Sequence, residues 1–278
     1  MAKPPSTSSR DRPSTSVIAA FGSEGEPVPL AGGRGLAWRV GDLAFKPADL
    51  ATDELVWQAD VLPTVEARDV RLSFPHRAVG GELVVDGWTT WTYLPGEHRP
   101  GRWLEVIDVG DRFHQAVVGL ARPAFIDART DPWAIGDRVA WGEAPIDPYL
   151  GVPHIARLAG LRRPVDARSQ LIHGDLTGNV LFSDALPPAV IDLSLYCRPA
   201  TFATAIVLAD ALVWEGADES LLESVADVDH IGQMLIRALI YRLIAAVEGG
   251  FENDDAEIRE RYREAVTAAA QRTRGRAT

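Results

Sequence analysis

The chain has 278 residues, which is long enough for one large domain or for two lobes. Its formal net charge of −11 argues against nucleic acid as a partner, and no apolar run reaches the roughly 18 residues that a transmembrane helix needs. A single cysteine, Cys197, excludes an internal disulfide framework and favours a reducing compartment. We therefore expect a cytoplasmic protein that binds neither nucleic acid nor a membrane, with its oligomeric state left open.

The first third of the chain predicts a small β-sheet with one helix. Residues 1–14 are rich in Ser, Thr and Pro and predict a disordered leader. Apolar residues at helical spacing predict a helix over 53–62. Strand-like runs lie at 36–40, 43–46, 68–74, 82–85 and 88–94. These elements predict a β-rich N-lobe over residues 15–95.

The remainder of the chain is mostly helical in pattern. Two Pro-Gly pairs between residues 95 and 101 mark the predicted lobe boundary. A strand–loop–strand segment, 171–194, interrupts the helical pattern. Amphipathic or apolar segments predict helices over 103–120, 148–161, 201–214, 231–247 and 255–271. We therefore predict an α+β chain whose larger helical C-lobe, 96–278, contains the segment 171–194 as a catalytic loop.

The segment 171–194 carries the strongest chemical signal. A short apolar run leads into a loop with His173, Asp175 and Asn179, and a second apolar run ends at Asp192. In phosphoryl transfer, one acid orients the attacking hydroxyl, while an amide and a second acid hold Mg²⁺ on the nucleotide phosphates. His173 is interpreted first as a brace for the loop. A metal-dependent hydrolase that uses His173 and Asp175 is a weaker alternative, because the sequence nearby offers no further ligand.

One lysine supports a nucleotide site. The chain has 26 arginines and two lysines, and Lys46 is the only lysine outside the leader. A compact ammonium at this position suggests a task that a planar guanidinium would not serve. Lys46 follows a turn that contains Gly32, Gly33 and Gly35, whose backbone amides could approach phosphate closely. An ordinary turn is the alternative interpretation of these glycines.

Further residues complete the hypothetical nucleotide site. Glu54, at the start of the 53–62 helix, is the candidate ion-pair partner of Lys46, with Glu66 as the second choice. Acids also favour helix N-termini for electrostatic reasons, so the Glu54 assignment has a structural alternative. Trp91 and Tyr93 lie in the segment that would connect the lobes, where backbone groups could bind a purine.

The order and separation of these motifs resemble those of aminoglycoside phosphotransferase-like, or choline kinase-like, small-molecule kinases. The matching pieces are Pro29-Leu-Ala-Gly-Gly33, Leu43-Ala-Phe-Lys46, His173-Gly-Asp175 with Asn179, and Ile191-Asp192. The resemblance implies a bilobal protein-kinase-like fold, ATP or GTP as co-substrate, and Mg²⁺. By the same resemblance, Lys46 would contact phosphates, Asp175 would act as the base, and Asn179 and Asp192 would hold the metal.

Three departures from the family pattern predict a divergent member. Asn179 stands four residues after Asp175, whereas the family usually places this asparagine five residues after the aspartate. Trp38 occupies the place of a later glycine in the glycine loop. The segment after Asp192 reads Leu-Ser-Leu-Tyr-Cys-Arg, which is unlike the usual continuation.

The sequence thus predicts an enzyme that transfers the γ-phosphoryl of ATP or GTP to a hydroxyl of a small metabolite or aminoglycoside-like antibiotic. The acceptor would lie over the helices near 201–250, where Asp210, Glu215, Asp218 and Glu219 could favour an amine-bearing molecule. A solvated helix end explains the last three acids equally well. Asp210, inside an apolar helix, needs a partner, and pairing with the catalytic loop is the first interpretation. The alternative function is a nucleotide-binding pseudokinase that acts as a regulatory or binding module.

Overall fold

The computed structural model describes residues 12–31, 35–251 and 254–274, so most of the predicted leader and Gly32 and Gly33 lie outside the described residues. The chain divides into two compact units. Of the described residues, the first unit comprises those up to Glu97 together with Leu181–Asp192, and the second comprises His98–Val180 and those from Leu193 onward. Among the described residues, no helix is long and apolar enough to cross a membrane.

The strands are short and fall into three sheets. They are β1 (Val28–Pro29), β2 (Trp38–Val40), β3 (Leu43–Pro47), β4 (Arg71–Leu72), β5 (Pro75–His76), β6 (Trp88–Thr92), β7 (Gln170–His173), β8 (Val180–Leu181), β9 (Ala189–Val190) and β10 (Leu195–Arg198). The first unit contains a five-stranded sheet in the order β1-β2-β3-β6-β5, and all of its neighbouring strands are antiparallel. Gly41 forms the β2–β3 turn with a φ of +57°, a conformation that glycine adopts without steric cost.

The strand β4 does not join that sheet. The sequence pattern predicted one strand over 68–74 beside the others, but β4 pairs in parallel with β9, which comes from far later in the chain. Arg71 secures this region by donating through Nε to Pro187 O and through Nη2 to Pro95 O, each at 2.8 Å. The pairing therefore brings the segment that ends at Asp192 into the first unit.

The α-helices of the described chain lie mostly in the second unit. They are α1 (Thr15–Ala20), α2 (Thr52–Val61), α3 (Trp103–Val117), α4 (Phe125–Ala128), α5 (Pro132–Trp141), α6 (Ile155–Leu161), α7 (Ala200–Val213), α8 (Ile231–Glu248) and α9 (Asp255–Arg274). Short 3-10 helices span Leu62–Thr64, Asp147–Tyr149 and Glu219–Val225. The predicted helix over 148–161 is shorter in the structure, because Gly151 and Pro153 interrupt helical hydrogen bonding before α6 begins.

The helix α5 is absent from the sequence-based prediction, although its ends carry clear signals. Asp131 caps its first turn by accepting a hydrogen bond from Ala134 N, and Pro132 occupies the first helical position. Gly142 ends the helix in the left-handed conformation. Gly136 faces α8 so closely that a Cβ atom there would lie 2.6 Å from Tyr241 O. This close contact makes α5 part of the support for α8.

The core of the second unit is built on α7 and α8. Nearly every residue of α7 and most residues of α8 are buried, including charged residues of both helices. Beside these helices, β7 pairs with β10 in antiparallel register, with His173 opposite Leu195. The strand β7 thus carries the catalytic-loop motif out of a rigid core.

Candidate active site

Lys46 and Asp192 form an ion pair in the first unit. The strand β3 holds Lys46 opposite Thr89 of β6, and its Nζ contacts Asp192 Oδ1. The Lys46 Nζ also lies 4.5 Å from the centroid of the Trp91 ring, a cation–π arrangement. The side chains of Lys46 and Asp192 are 24% and 46% exposed, so both groups remain accessible. An ammonium suited to phosphate and a carboxylate suited to a divalent cation therefore lie side by side.

Asp192 has an unusual backbone conformation. It follows β9 closely, and its φ is +49°, in the left-handed region that residues with a Cβ rarely adopt. Such conformations cost free energy and cluster at functional sites, where the surrounding structure holds them in place. Aspartate is among the residues that tolerate this region best, however, and Asp86 has nearly the same φ of +48°, so the backbone alone does not set Asp192 apart.

Glu54 lies in the same unit as Lys46, in the first turn of α2. Its side chain is buried, and its Oε1 accepts a hydrogen bond from Gln58 Nε2 at 3.2 Å. The second choice, Glu66, is exposed. Burial of an acid next to the sheet that carries Lys46 keeps Glu54 as the better candidate, and its role in nucleotide binding stays a prediction.

The other predicted nucleotide residues take separate environments. Trp91 is only 3% exposed, packs with Leu55 and Leu83, and donates through Nε1 to Thr89 Oγ1 at 3.1 Å. The Trp91 side chain therefore belongs to the core, and the face of its ring contacts the Lys46 ammonium. Tyr93 has the Arg39 guanidinium 4.1 Å from its ring centroid.

Gly35 is the described glycine of the predicted glycine turn. Its φ of +69° lies in the left-handed region, which glycine adopts without steric cost. The roles of Gly35, Gly32, Gly33, Trp91 and Tyr93 in nucleotide binding stay predictions.

His173 braces the catalytic loop of the second unit. Its ring is buried, and Nδ1 accepts a hydrogen bond from Asp175 N at 3.1 Å. Its own backbone N donates to His114 Nε2 at 3.3 Å. Burial, followed by repulsion from His173, lowers the pKa of His114 to about 3. His114 is therefore neutral, and both imidazoles accept backbone hydrogen bonds within the loop, while the role of His173 in catalysis stays a prediction.

Asp175 lies beside Asn179 at the surface of the second unit. Asn179 Nδ2 donates to Asp175 O at 2.7 Å and, over a longer 3.3 Å, to Asp175 Oδ2. The turn between them uses Gly178 at a φ of +80°. The Asp175 side chain is 42% exposed, so a substrate hydroxyl can reach it. The spacing of four residues therefore still turns the amide of Asn179 towards Asp175.

Arg242 is the contact that sequence reasoning missed. It lies on α8 and donates through Nη2 to Asp175 Oδ1 at 2.7 Å. It also grips Asp210 of α7, through Nε to Oδ1 at 2.8 Å and through Nη2 to Oδ2 at 2.6 Å. Asp210 is therefore linked to the catalytic loop through an arginine. An arginine inside the apolar run 231–247 was the available signal for this contact.

The other acids predicted near the acceptor have local partners. Glu215 accepts a hydrogen bond from Trp103 Nε1. Asp218 accepts from Ser220 N at 2.8 Å and so caps the short 3-10 helix in which Glu219 lies. Asp218 and Glu219 therefore lie at a helix end, and a role towards an acceptor stays a prediction for these acids.

The sequence itself has no match among family models or curated proteins. The structure, in contrast, is similar to solved phosphotransferases over nearly its full length. An aminoglycoside phosphotransferase from Alicyclobacillus acidocaldarius superposes with a TM-score of 0.61 at 14% identity, and 95% of each chain is covered.

Two further solved structures are described as complexes. The aminoglycoside phosphotransferase APH(4)-Ia, in a ternary complex with AMP-PNP and hygromycin B, gives a TM-score of 0.57 at 13% identity over 94% of this chain and 98% of that one. The spectinomycin phosphotransferase APH(9)-Ia, with ADP and spectinomycin, gives 0.54 at 11% identity over 92% and 96%. At these identities the likeness establishes the fold, so the predicted two-lobed α+β fold of aminoglycoside phosphotransferases is confirmed.

Proposed function

We propose that this chain, with its aminoglycoside phosphotransferase fold, is a divergent small-molecule kinase. It transfers the γ-phosphoryl of ATP or GTP to a hydroxyl of a metabolite or an aminoglycoside-like antibiotic. The observation that carries the proposal is the contact between Asp192 and Lys46, the only lysine of the described residues. The nucleotides ADP and AMP-PNP in the similar proteins support the choice of co-substrate.

In the first unit, Lys46 binds phosphate oxygens as a point charge, and Glu54 and the glycine turn with Gly35 support the nucleotide. The donor set suits magnesium, which proteins usually hold through one or two carboxylates while phosphates and water supply the other ligands. Asp192 and the Asn179 amide oxygen would be those protein ligands. The described residues contain no cluster of three or more His, Cys, Asp or Glu side chains of the kind that binds a metal without phosphate. Bound Mg²⁺ would neutralise charge on the phosphates.

In the second unit, Asp175 orients the attacking hydroxyl. The acceptor oxygen forms a bond to the γ-phosphorus, the bond from that phosphorus to the bridging β-phosphate oxygen breaks, and the nucleoside diphosphate leaves. The hydroxyl proton goes to Asp175. Because the transition state of phosphoryl transfer is loose, the main task of this carboxylate is to position the hydroxyl. His173 keeps the loop in shape through its hydrogen bond with Asp175 N.

Activity measurements test this function directly. Purified protein with magnesium and ATP or GTP is expected to consume nucleotide only when a suitable acceptor is added from a panel of hydroxylated metabolites and aminoglycosides. Asp175→Asn is expected to lower kcat by about 100-fold or more, because it removes the orienting base. Asp166→Asn, a change at an exposed acid before β7, is the matched control and keeps wild-type turnover.

Two outcomes would redirect the proposal. Activity that survives Asp175→Asn would contradict the assignment of the base. Nucleotide binding without consumption, for every acceptor in the panel, would favour the pseudokinase, for which the shortened spacing between Asp175 and Asn179 is the supporting observation. We place the reaction in the cytoplasm on the basis of the single cysteine.

A further inference from the structure

Arg242 lies in the buried α7–α8 interface. Among the described residues of that interface, it alone donates a hydrogen bond to Asp175, the predicted base. Its side chain is 7% exposed and lies between two carboxylates, with Asp210 buried and Asp175 at the surface. Both Nε and Nη2 are used on Asp210, and Nη2 is shared with Asp175. The guanidinium therefore connects a buried acid to an accessible one.

The carboxylates of Asp210 and Asp175 keep Arg242 ionised. Burial by itself would lower the pKa of Arg242, but the carboxylates of Asp210 and Asp175 outweigh burial and raise the pKa. The bidentate grip of Asp210 also fixes the plane of the guanidinium, because both contacts are made through a rigid fork of N–H groups. With the guanidinium plane fixed in this way, Nη2 also donates to Asp175 in one orientation.

Neighbouring rings add to this restraint. The Cζ atom of Arg242 lies 5.5 Å from the ring centroid of Trp133 and 5.2 Å from that of Tyr241. Tyr241 in turn lies against the hydroxyl of Tyr196, with 3.1 Å between the two oxygens. An arginine held by a carboxylate and two aromatic rings has little rotamer freedom left.

A buried ion pair of this kind is not needed for a stable helix interface. Removing two charges from water is costly, and well-packed apolar residues of similar volume usually stabilise a core as well or better. The rest of α7 and α8 is largely apolar. The pair therefore calls for an explanation other than stability, and its contact with Asp175 supplies one.

We propose that Arg242 is a positioning residue for Asp175, with Asp210 as its buried counter-charge. The inference rests on the proposed function. Arg242 holds Oδ1 of Asp175, so the carboxylate cannot rotate freely. Among the described residues, Oδ2 carries only the longer contact from Asn179, and it is the oxygen that accepts the proton of the acceptor hydroxyl.

Three variants separate positioning from stability. Arg242→Met leaves Asp210 buried without its partner and is expected to lower both the melting temperature and kcat. The double variant Arg242→Met with Asp210→Leu replaces the pair by apolar groups, so the melting temperature is expected to recover. Its kcat is expected to stay about 100-fold below wild type, with the nucleotide KM nearly unchanged. Arg242→Lys keeps one charged donor to Asp175 and is expected to give an intermediate kcat.

A second arginine of α8 provides the matched control. Arg237 is also buried, but its hydrogen bonds go to Gln233 O and Oε1 and to Arg163 O. Arg237→Met is expected to lower the melting temperature while kcat stays within about twofold of wild type, well short of the roughly 100-fold loss that misplacing a catalytic group causes. A double variant at 242 and 210 that regains both stability and kcat would overturn the positioning role.

The test also separates this inference from the proposed function. If the wild-type protein transfers no phosphoryl group to any acceptor, the proposed function fails. The positioning role is then decided by a crystal structure of the double variant. A changed or disordered Asp175 side chain supports the role, and an Asp175 carboxylate in its wild-type orientation overturns it.

Discussion

At the residue scale, the accessible Asp175 lies in a loop that buried histidines hold in place through hydrogen bonds. The Asp175 side chain is 42% exposed, whereas the two histidines that support its loop are buried. His173 is buried and accepts the Asp175 N–H, and His114 accepts the N–H of His173. His114 Nδ1 is itself buried and has no hydrogen-bond partner among the described residues. Protonating this buried imidazole costs free energy, so the folded state is expected to lose stability in acid.

This cost predicts a pH dependence of stability. The pKa of His114 is lowered to about 3, from 6.5 in an exposed site. Between these values the unfolded chain binds more protons than the folded one at this site, so the stabilisation is complete above pH 6.5 and is lost as pH falls towards 3. We expect the free energy of unfolding to fall by about 2 kcal/mol through this group between pH 7 and 5.

Denaturant titrations of matched variants isolate the contribution. His114→Gln keeps a neutral acceptor for His173 N but cannot be protonated, so its free energy of unfolding is expected to depend less on pH than that of wild type. His98→Gln, a change at an exposed histidine, is the control and should follow the wild-type curve. Parallel curves for wild type and His114→Gln between pH 7 and 5 would show that His114 does not carry the effect.

At the residue scale, the sequence singled out residue types that are rare in this chain. Lys46 was conspicuous as one of two lysines, and Asn179 as one of two asparagines. The structure brings Lys46 to Asp192 and Asn179 to Asp175, and their roles in catalysis stay predictions. Arg242 gave no such signal, because 26 arginines make any one of them inconspicuous. Only the contact in the folded structure revealed that Arg242 is the arginine of α8 that meets Asp175, the predicted base.

At the scale of elements, the contact between α5 and α8 supports the catalytic loop. Gly136 lets the two helices approach closely, since a Cβ there would lie 2.6 Å from Tyr241 O and 3.2 Å from Ala245 N. Both of these atoms belong to the backbone and cannot rotate away. Because α8 carries Arg242, any displacement of this helix also shifts the support of Asp175.

Gly136→Ala is therefore expected to destabilise the protein by about 1–3 kcal/mol, the usual cost of overpacking a core. Thermal and denaturant unfolding measure the change. Gly160→Ala is the matched control, because Gly160 is exposed in α6 and a Cβ there meets nothing within 4 Å. This control should be neutral or more stable by up to about 1 kcal/mol. Equal effects of the two substitutions would contradict the close-contact explanation.

Elements were predictable where local periodicity decided them. The helices α2, α3, α7, α8 and α9 lie within a few residues of their predicted ranges, since each carries a long apolar pattern. The helix α5 was missed because small residues and charges dilute its pattern, although both caps were visible. The pairing of β4 with β9 could not be predicted from local pattern, because two residues from each of two distant segments decide it.

At the scale of the whole molecule, the proposed nucleotide site predicts a ligand-dependent stability. A ligand that binds only the folded state stabilises it by about 2.7 kcal/mol at a concentration 100 times its Kd. For a chain of 278 residues this corresponds to a rise of several degrees in melting temperature. Differential scanning fluorimetry with magnesium and ATP, or with magnesium and GTP, measures the rise.

Two variants assign that shift to the proposed site. Lys46→Met removes the phosphate contact and is expected to reduce the shift strongly. Asp175→Asn changes the residue that meets the acceptor and should keep the shift while turnover is lost. A shift that persists in Lys46→Met but disappears in Asp175→Asn would contradict the assigned roles.

The sequence by itself was sufficient to predict the fold class of this protein. Its strand-like and helical patterns predicted an α+β chain, the resemblance of its motifs to small-molecule kinases implied the two-lobed fold, and the structural likeness confirms that fold. Patterns of apolar and polar residues can be read from a single sequence because they depend only on spacing along the chain.

Tertiary structure alone decided how the site is supported. The pairing of Lys46 with Asp192, the left-handed backbone of Asp192 and the grip of Arg242 on Asp175 and Asp210 depend on contacts between segments far apart in the chain. A hydrogen bond or ion pair exists only when two groups meet in space, and a local pattern carries no information about distant partners.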